Sequence, residues 1–265
     1  MTRKARLDAE LVRRGLARSR QDAVDLVNAG LVKVAGMPAQ KAATAVDAAT
    51  PLVVAAGAAD DTVSRGAHKL AGALDAWPAL AVAGRRCLDA GASTGGFTQV
   101  LLRRGAREVV AVDVGYGQLA WSLASDERVT VLDRTNVRTL TPDAIGGAVE
   151  LIVADLSFIS LTVVLDALTS CLADGGDLVM MVKPQFEAGR DAVGSGGVVR
   201  DPAVRAAAVA RVAAHAQRLG YGAAGVVASP LPGPSGNVEY FLWLRTDAAP
   251  LDEAELLRAI KEGPQ

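Results

Sequence analysis

Hydrophobic positions along the chain follow two different patterns, which divide it into a short first part and a long second part. In residues 1–55, apolar residues recur at helical spacing twice, and each stretch ends near a glycine, Gly15 or Gly30. Ser19 precedes the second stretch with Asp22 three residues later, a helix-capping pattern. Short apolar runs follow at 31–34 and 52–54. We predict a small α+β module of two helices and short strands.

The second part, residues 64–265, alternates apolar strand-like runs with helical stretches. Residues 56–63 before it are small and polar without periodicity, which predicts a linker. The predicted strands are 86–90, 108–114, 129–132, 151–155, 177–183, 224–228 and 239–244, and the predicted helices are 96–104, 160–172 and 202–219. Such alternation is typical of a parallel sheet with helices on both faces. We therefore predict an α/β fold for this domain.

Charge is distributed unevenly between the two parts. Residues 1–41 hold nine Lys and Arg against four Asp and Glu, whereas the whole chain has a net charge of −1. A basic first part suggests an anionic partner, although a solubilising surface would explain it too. Aromatic residues make up only 4% of the chain, which argues against nucleic-acid binding mainly by base stacking. The candidate residues for binding an anion such as RNA are Arg3, Lys4, Arg6, Arg13, Arg14, Arg18 and Arg20.

Several classes of protein are excluded by composition. Two cysteines cannot form a disulfide framework, and with two histidines they make a poor zinc-ligand set, so we expect no metal. Apolar stretches do not reach the ~18 residues that span a bilayer, and the basic N-terminal residues lack the apolar core of a signal peptide. We expect a soluble cytoplasmic protein without a membrane partner.

A glycine-rich turn after the first predicted strand is the sharpest local feature of the sequence. It reads Leu88-Asp89-Ala90-Gly91-Ala92-Ser93-Thr94-Gly95-Gly96-Phe97-Thr98. Ser93 stands where a dinucleotide-binding loop has its middle glycine, which weakens that assignment. Asp113 follows Gly91 at the end of the next strand, an offset that suits a carboxylate accepting ribose hydroxyls. The pattern favours a nucleoside cofactor, with an ordinary tight turn as the alternative.

Lysine is rare in this chain, and two lysines stand in segments otherwise poor in charge. Only six of the 28 basic residues are lysines, among them Lys69 and Lys183. Unlike arginine, a desolvated lysine can lose its proton and take part in proton transfer. Lys183 ends one apolar strand, and Asp155 ends another. Because ligands bind at the carboxyl ends of parallel strands, we expect Asp113, Asp155 and Lys183 at one edge of the sheet.

Several motifs in sequence order give a family resemblance that covers essentially the whole chain. The pattern Arg6-Leu7-Asp8 with the segment 15–20, Gly30 and Gly36 resembles the RNA-binding module of a small-subunit ribosomal protein and of many pseudouridine synthases. The glycine loop resembles that of FtsJ/RrmJ-like S-adenosylmethionine methyltransferases. The segments SRGAHKL, DLSFIS, KPQFE and PGPSGNVEY, at 64–70, 155–160, 183–187 and 232–240, resemble the TlyA family in particular.

This resemblance implies a Rossmann-like methyltransferase sheet with helices on both faces, a reaction and a set of site residues. It implies methyl transfer from S-adenosylmethionine to the ribose 2′-hydroxyl of cytidines in small-subunit or large-subunit ribosomal RNA, and with it susceptibility to capreomycin- and viomycin-type antibiotics. The implied catalytic set is Lys69, Asp155, Lys183 and Glu239, with Lys183 as base and Asp155 as its orienter. The implied cofactor-binding set is Asp89, Gly91, Ser93, Gly95, Gly96, Phe97 and Asp113.

One departure from the family pattern lies in the linker, and two other functions compete with methyl transfer. Family members carry a tetrapeptide with Arg and Trp where this chain has Asp60, Asp61 and Thr62, so coupling between RNA docking and cofactor binding is open here. A non-catalytic ribosome-assembly factor would be free to lose the Lys-Asp-Lys-Glu set. A pore-forming haemolysin, the historical label of the family, would need a membrane-active segment, which the sequence does not offer.

Overall fold

The chain forms two compact units, Met1–Asp61 and Thr62–Gln265, each with a hydrophobic core of its own. The computed structural model describes residues 4–17, 19–28, 30–54, 62–189, 193–233 and 235–264. Residues 56–61 of the predicted linker therefore lie outside the described residues, as do Arg3 and Arg18 of the candidate RNA-binding set.

The first unit has two helices and two small antiparallel sheets. Its elements are β1 (Ala5–Arg6), α1 (Leu7–Arg13), α2 (Arg20–Asn28), β2 (Val32–Val34), β3 (Met37–Pro38), β4 (Ala45–Val46) and β5 (Leu52–Val54). β1 pairs with β4, and β2 lies between β3 and β5. The Ser19 hydroxyl accepts a hydrogen bond from the Asp22 amide at 3.1 Å, so the predicted helix cap is confirmed. Buried Leu7, Leu11 and Val27 join the helices to this core.

The second unit is an α/β domain built around a seven-stranded sheet. Its helices are α3 (Gly66–Ala76), α4 (Gly96–Arg103), α5 (Trp121–Ala124), α6 (Leu165–Ser170), α7 (Pro184–Glu187), α8 (Pro202–Arg218) and α9 (Glu253–Glu262). Its strands are β6 (Arg86–Ala90), β7 (Glu108–Val112), β8 (Val129–Leu132), β9 (Val149–Ala154), β10 (Leu172–Val182), β11 (Gly222–Ala228) and β12 (Tyr240–Arg245). Short 3₁₀ turns, such as Leu161–Val163, interrupt the loops.

The strand order is β11-β12-β10-β9-β6-β7-β8. β9 pairs in parallel with both β10 and β6, and β7 in parallel with both β6 and β8. The sheet is parallel as predicted except at one strand, because β12 runs antiparallel to both of its neighbours, β10 and β11. β12 therefore begins at the edge of the sheet where the parallel strands end.

Helices cover both faces of the sheet, as predicted. On one face, α6, α8 and α9 pack against side chains such as Leu88, Ile152 and Met180. On the other face, α3 and α4 pack against Cys87, Val153 and Val179. The strands are apolar on both faces because both are buried, which is the pattern of a doubly covered sheet. In the part of the chain that the structure describes, no helix has the length and apolar character needed to cross a membrane.

Candidate active site

Three of the four residues of the implied catalytic set lie where strands meet the same edge of the sheet. Asp155 directly follows β9, and Lys183 directly follows β10. Glu239 directly precedes β12, whose first residue, Tyr240, pairs with Val182, the last residue of β10. The antiparallel direction of β12 thus brings a residue from the last tenth of the chain beside Lys183. Ligand crevices of open α/β sheets lie at this edge.

Lys183 forms a close ion pair with Asp155. Its Nζ lies 2.5 Å from Asp155 Oδ1 and donates a hydrogen bond to Ser157 Oγ at 3.0 Å. The lysine side chain is only 10% exposed and that of Asp155 24%, so water screens the pair little. The Phe186 ring lies 6.0 Å from the same Nζ. The structure therefore confirms the close approach expected of Asp155 and Lys183 and adds Ser157 as a further partner.

Lys69 and Glu239 form a second, more deeply buried ion pair. Lys69 lies on α3, and its Nζ donates to Glu239 Oε2 at 2.6 Å. The Glu239 side chain is 1% exposed. A Cβ at Gly233 would lie 2.6 Å from Glu239 Oε1, so a larger residue there would require this carboxylate to move. The two lysines of the predicted set are thus divided between two carboxylates.

The glycine loop between β6 and α4 needs glycine for two separate reasons. Gly91 and Gly95 have φ of +87° and +98°, a backbone conformation that other residues avoid. A Cβ at Gly91 would lie 2.5 Å from the Asp155 carbonyl oxygen, and one at Gly95 would lie 2.3 Å from Leu123. The loop therefore packs directly against the strand end that carries Asp155. Gly96 begins α4 against the backbone of Ala67.

Asp113 has a structural role in this loop in addition to the one predicted. Its Oδ2 accepts a hydrogen bond from the Ser93 amide at 2.8 Å, and its Oδ1 accepts one from the Gly115 amide at 2.7 Å. Ser93 itself has φ of +47°, so the carboxylate helps to hold a strained turn. Each carboxylate oxygen has a second lone pair, so Asp113 can still accept ribose hydroxyls.

Asp89 is fully buried beneath the loop. Its Oδ2 accepts a hydrogen bond from the Thr98 hydroxyl at 2.7 Å, whereas its buried Oδ1 has no hydrogen-bond partner in the described part of the chain. Burial, assisted by the nearby charges of Asp155 and Asp113, raises the pKa of Asp89 to about 7. Phe97 was predicted to bind the cofactor, but its ring is 4% exposed and packs against Phe241 in the core.

These residues fit S-adenosylmethionine by their chemistry. Three carboxyl groups, those of Asp89, Asp113 and Asp155, surround the glycine loop, and the buried Oδ1 of Asp89 has no hydrogen-bond partner among the residues that the structure describes. S-Adenosylmethionine carries a sulfonium and an ammonium group, and an acidic site favours both. Its adenosine offers ribose hydroxyls to Asp113.

Comparison with known proteins gives the family. Residues 62–246 match the FtsJ-like methyltransferase family, and residues 5–50 match the S4 domain. A Mycobacterium tuberculosis protein named 16S/23S rRNA (cytidine-2'-O)-methyltransferase TlyA is 64% identical over 270 residues, which cover all of both chains. Hemolysin A of Brachyspira hyodysenteriae is 34% identical over 89% of this chain and 97% of its own. A solved structure described as a hemolysin, from Streptococcus thermophilus, is 38% identical with a TM-score of 0.77, over 99% of this chain and 96% of that one.

The chain belongs to the TlyA family of FtsJ-like methyltransferases. Membership confirms the predicted fold class, the methyltransferase activity and S-adenosylmethionine as the cofactor. It also confirms the RNA-binding character of the first unit, which is an S4 domain.

In this methyltransferase, a buried acid that the sequence analysis missed connects the two loops that carry Asp155 and Lys183. Glu187 is 4% exposed and accepts hydrogen bonds from Ser160 Oγ at 2.6 Å and from the Leu161 amide at 2.7 Å. In the loop that follows Asp155, Phe158 has φ of +64° and is 90% exposed, an unusual combination for an aromatic residue. The signal in the sequence was the motif KPQFE at 183–187, in which this acid follows Lys183 by four residues.

Asn237 is a second residue that the analysis missed. It is 2% exposed, donates to the Gly197 carbonyl at 2.8 Å and accepts from the Val199 amide at 2.9 Å. It therefore fixes the turn before Glu239 to the glycine-rich segment around residue 197. This contact could not be predicted from the residue pattern, because the two segments are 40 residues apart.

The basic residues of the S4 domain differ in what their side chains contact. Lys4, Arg6, Arg13 and Arg20 are exposed, as expected of RNA-binding residues. Arg14 differs, because it is 21% exposed and donates to Glu10 and to the carbonyl groups of Asp47, Ala48 and Thr50. RNA binding by Arg14 stays a prediction, and in this structure its donors hold the chain between β4 and β5 in place.

Proposed function

We propose that this protein is an S-adenosylmethionine-dependent 2′-O-methyltransferase for cytidine ribose in small-subunit ribosomal RNA, large-subunit ribosomal RNA or both. Two buried lysine–carboxylate pairs beside the glycine loop carry the proposal. Ribose methylation requires a group that removes the proton of the 2′-hydroxyl, in a site with little water. The M. tuberculosis relative, named for this reaction on 16S and 23S rRNA, supports the choice of substrate.

Lys183 and Asp155 handle the ribose proton in this proposal. The cofactor supplies an electrophilic methyl group on its sulfonium. A ribose hydroxyl is a very weak acid, so its proton must leave as the oxygen attacks. Lys183 Nζ receives that proton or stabilises the developing oxyanion, while Asp155 Oδ1 and Ser157 Oγ fix the direction of the amine. The products are the 2′-O-methyl ribose, S-adenosylhomocysteine and one proton.

Lys69 and Glu239 act as positioning residues in this proposal. Glu239 is too deeply buried to serve as a solvent-exchanging base, and its Oε2 is engaged by Lys69 Nζ. The pair joins α3 to the start of β12 beside Lys183, which fixes the wall of the crevice where the ribose would lie. A buried pair of this kind demands both partners, because either charge alone would be costly there.

The S4 domain supplies RNA affinity through phosphate contacts, which set position more than sequence. Action on ribosomal RNA would place the protein in the cytoplasm. Methylation of the ribosome by this enzyme would, in turn, make cells susceptible to capreomycin- and viomycin-type antibiotics.

Single-turnover methyl transfer to unmodified rRNA transcripts, followed by mass mapping of the methylated fragments, tests the proposal. Lys183→Arg keeps the charge but cannot release a proton at useful pH, so the rate should fall at least ~10²-fold with cofactor affinity unchanged. Lys261→Arg, at an exposed lysine of α9, is the matched control and should keep the wild-type rate. A near wild-type rate for Lys183→Arg would refute its role as base. Tight rRNA binding by the wild-type protein without methyl transfer would instead identify a non-catalytic assembly factor.

A further inference from the structure

A buried acid in the S4 domain contacts two of the exposed arginines. The Asp8 side chain is 6% exposed. Its carboxylate accepts from Arg6 Nε at 3.1 Å and from Arg6 Nη2 at 2.8 Å, and it lies 3.8 Å from Arg20 Nη2. The Ala9 amide donates to the same carboxylate at 2.7 Å, so the acid is itself fixed at the start of α1.

The two arginines keep most of their surface in water despite this contact. Arg6 is 54% exposed and Arg20 65%. Asp8 engages the Nε–Nη2 edge of Arg6, which leaves the Nη1 side of this five-donor group unused by the acid. Arg6, Asp8, Arg20, Gln21 and Val24 line a surface depression of about 390 Å³. An anion that binds in this depression would contact the guanidinium groups of Arg6 and Arg20, both of which Asp8 holds in place.

Arg14 differs from Arg6 and Arg20 in exposure, although all three carry the same charge and pair with a buried acid. It too pairs with a buried acid, Glu10, whose pKa the two neighbouring guanidinium groups of Arg13 and Arg14 lower to about 2. Its other donors, however, are taken by backbone carbonyl groups. The arrangement around Asp8 differs because both of its arginines stay exposed beside a depression.

We propose that Arg6 and Arg20 form a clamp for backbone phosphate groups of RNA and that Asp8 is the positioning residue that arranges it. The proposal rests on the proposed function and names the acid on which RNA affinity depends. An arginine side chain that is flexible in the free protein loses conformational entropy when it binds, which lowers affinity. Asp8 already holds these side chains in place in the free protein, so less entropy is lost on binding RNA. The negative charge of Asp8 also reduces the net positive charge of Arg6 and Arg20. Removing Asp8 should therefore weaken RNA binding if orientation dominates and strengthen it if net charge dominates.

The test is the affinity of full-length Asp8→Asn for unmodified small-subunit and large-subunit rRNA transcripts, measured over a range of salt concentrations. Simple charge counting predicts tighter binding, because the variant is one unit more positive. The clamp predicts binding about three- to tenfold weaker, with a salt dependence reduced by about one phosphate contact. The matched control is Asp126→Asn, which removes an acid that pairs with both Nε and Nη2 of Arg128 in the methyltransferase domain. This control should bind as the wild type does.

A double-mutant cycle separates the clamp from a general effect on folding. Asp8→Asn should weaken binding less in an Arg6→Ala background than in the wild type, because only the longer contact of the acid with Arg20 is then left to lose. S-Adenosylhomocysteine affinity and thermal melting report whether each variant is folded. If Asp8→Asn does not fold, Arg6→Lys takes its place, since it keeps the charge, loses the two-point contact and should weaken binding to the same degree.

The outcomes distinguish failure of the clamp from failure of the proposed function. A folded Asp8→Asn variant that binds rRNA as tightly as the wild type, or more tightly, overturns the clamp. Equal effects of Asp8→Asn with and without Arg6 overturn it as well. A wild-type protein without salt-dependent rRNA affinity would contradict the proposed function itself.

Discussion

Replacing Asp89 by asparagine should stabilise the free protein at high pH and weaken cofactor binding in the same variant. The Asp89 carboxyl is fully buried, and its Oδ1 lacks a hydrogen-bond partner among the described residues. An ionised carboxylate there is costly until a cation pairs with it. Asparagine keeps an oxygen that can accept from Thr98 but carries no charge, so it removes both the cost and the attraction for a cationic ligand.

The size of the effect follows from the pKa of Asp89, which burial raises from 3.8 to about 7. The folded protein thus holds this proton more tightly than the unfolded chain does, so stability falls as pH rises from about 4 to about 7. The whole difference corresponds to ~4 kcal/mol, of which ~2 to 3 kcal/mol is lost between about pH 5 and about pH 8. Because asparagine does not titrate, the Asp89→Asn variant should show none of this loss of stability between the two pH values.

Urea unfolding of the wild type and the variant near both pH values measures this difference. The stability of Asp89→Asn relative to the wild type should rise by ~2 to 3 kcal/mol from the lower to the higher pH. Asp75→Asn, at a 69% exposed acid, should show no such change. Calorimetry with S-adenosylhomocysteine should show Asp89→Asn binding at least about tenfold more weakly. A relative stability that is the same at both pH values would refute the reasoning.

Three further substitutions test contacts described above. Glu239→Gln leaves the Lys69 ammonium buried without its partner and should lower the free energy of unfolding by ~3 kcal/mol or more in urea; a change under ~1 kcal/mol would mean that water reaches the pair. Arg14→Ala should lower the free energy of unfolding by ~2 to 4 kcal/mol in the same assay, because it removes three hydrogen bonds to carbonyl groups. Arg13→Ala, at a 62% exposed side chain, should lower it by less than ~1 kcal/mol. Equal losses would contradict a structural role for Arg14. Gly95→Ala must adopt a positive φ and displace a core leucine, so it should abolish S-adenosylhomocysteine binding in calorimetry; retained affinity would show that the loop can rearrange.

The strands were predictable from sequence where short apolar runs stand between turn residues. β6 and β8 begin and end at the predicted residues, and β11 starts two residues earlier than expected. The direction of β12 was not predictable, because an alternating or buried strand has the same residue pattern in either orientation. Helix α3 was missed because its glycine and alanine residues give a weak helical signal, and its stability comes from packing against α4 and the sheet.

The residues of the site and the pairing of Asp155 with Lys183 could be predicted, but the second pair could not. Strand-end position and the family resemblance identified Asp155, Lys183 and Glu239. They could not show that Lys69 pairs with Glu239, since the two are 170 residues apart and meet only through the tertiary fold. The inward direction of Arg14 was hidden for the same reason. Its partners are carbonyl groups between residues 47 and 50, which every sequence has and no side-chain pattern reveals.

The interior position of β12 in the sheet has a consequence for synthesis of the protein. β10 has an apolar end, Leu178–Val182, whose backbone groups pair on one side with β12. During translation, this edge stays open until residues 240–245 have left the ribosome, some 60 residues later. β11 is made before β12 but can join the sheet only through it. An open apolar strand edge favours aggregation, so the nascent chain is most vulnerable in this interval. A stop codon placed just before residue 239 would therefore yield an insoluble chain, and not merely an inactive one.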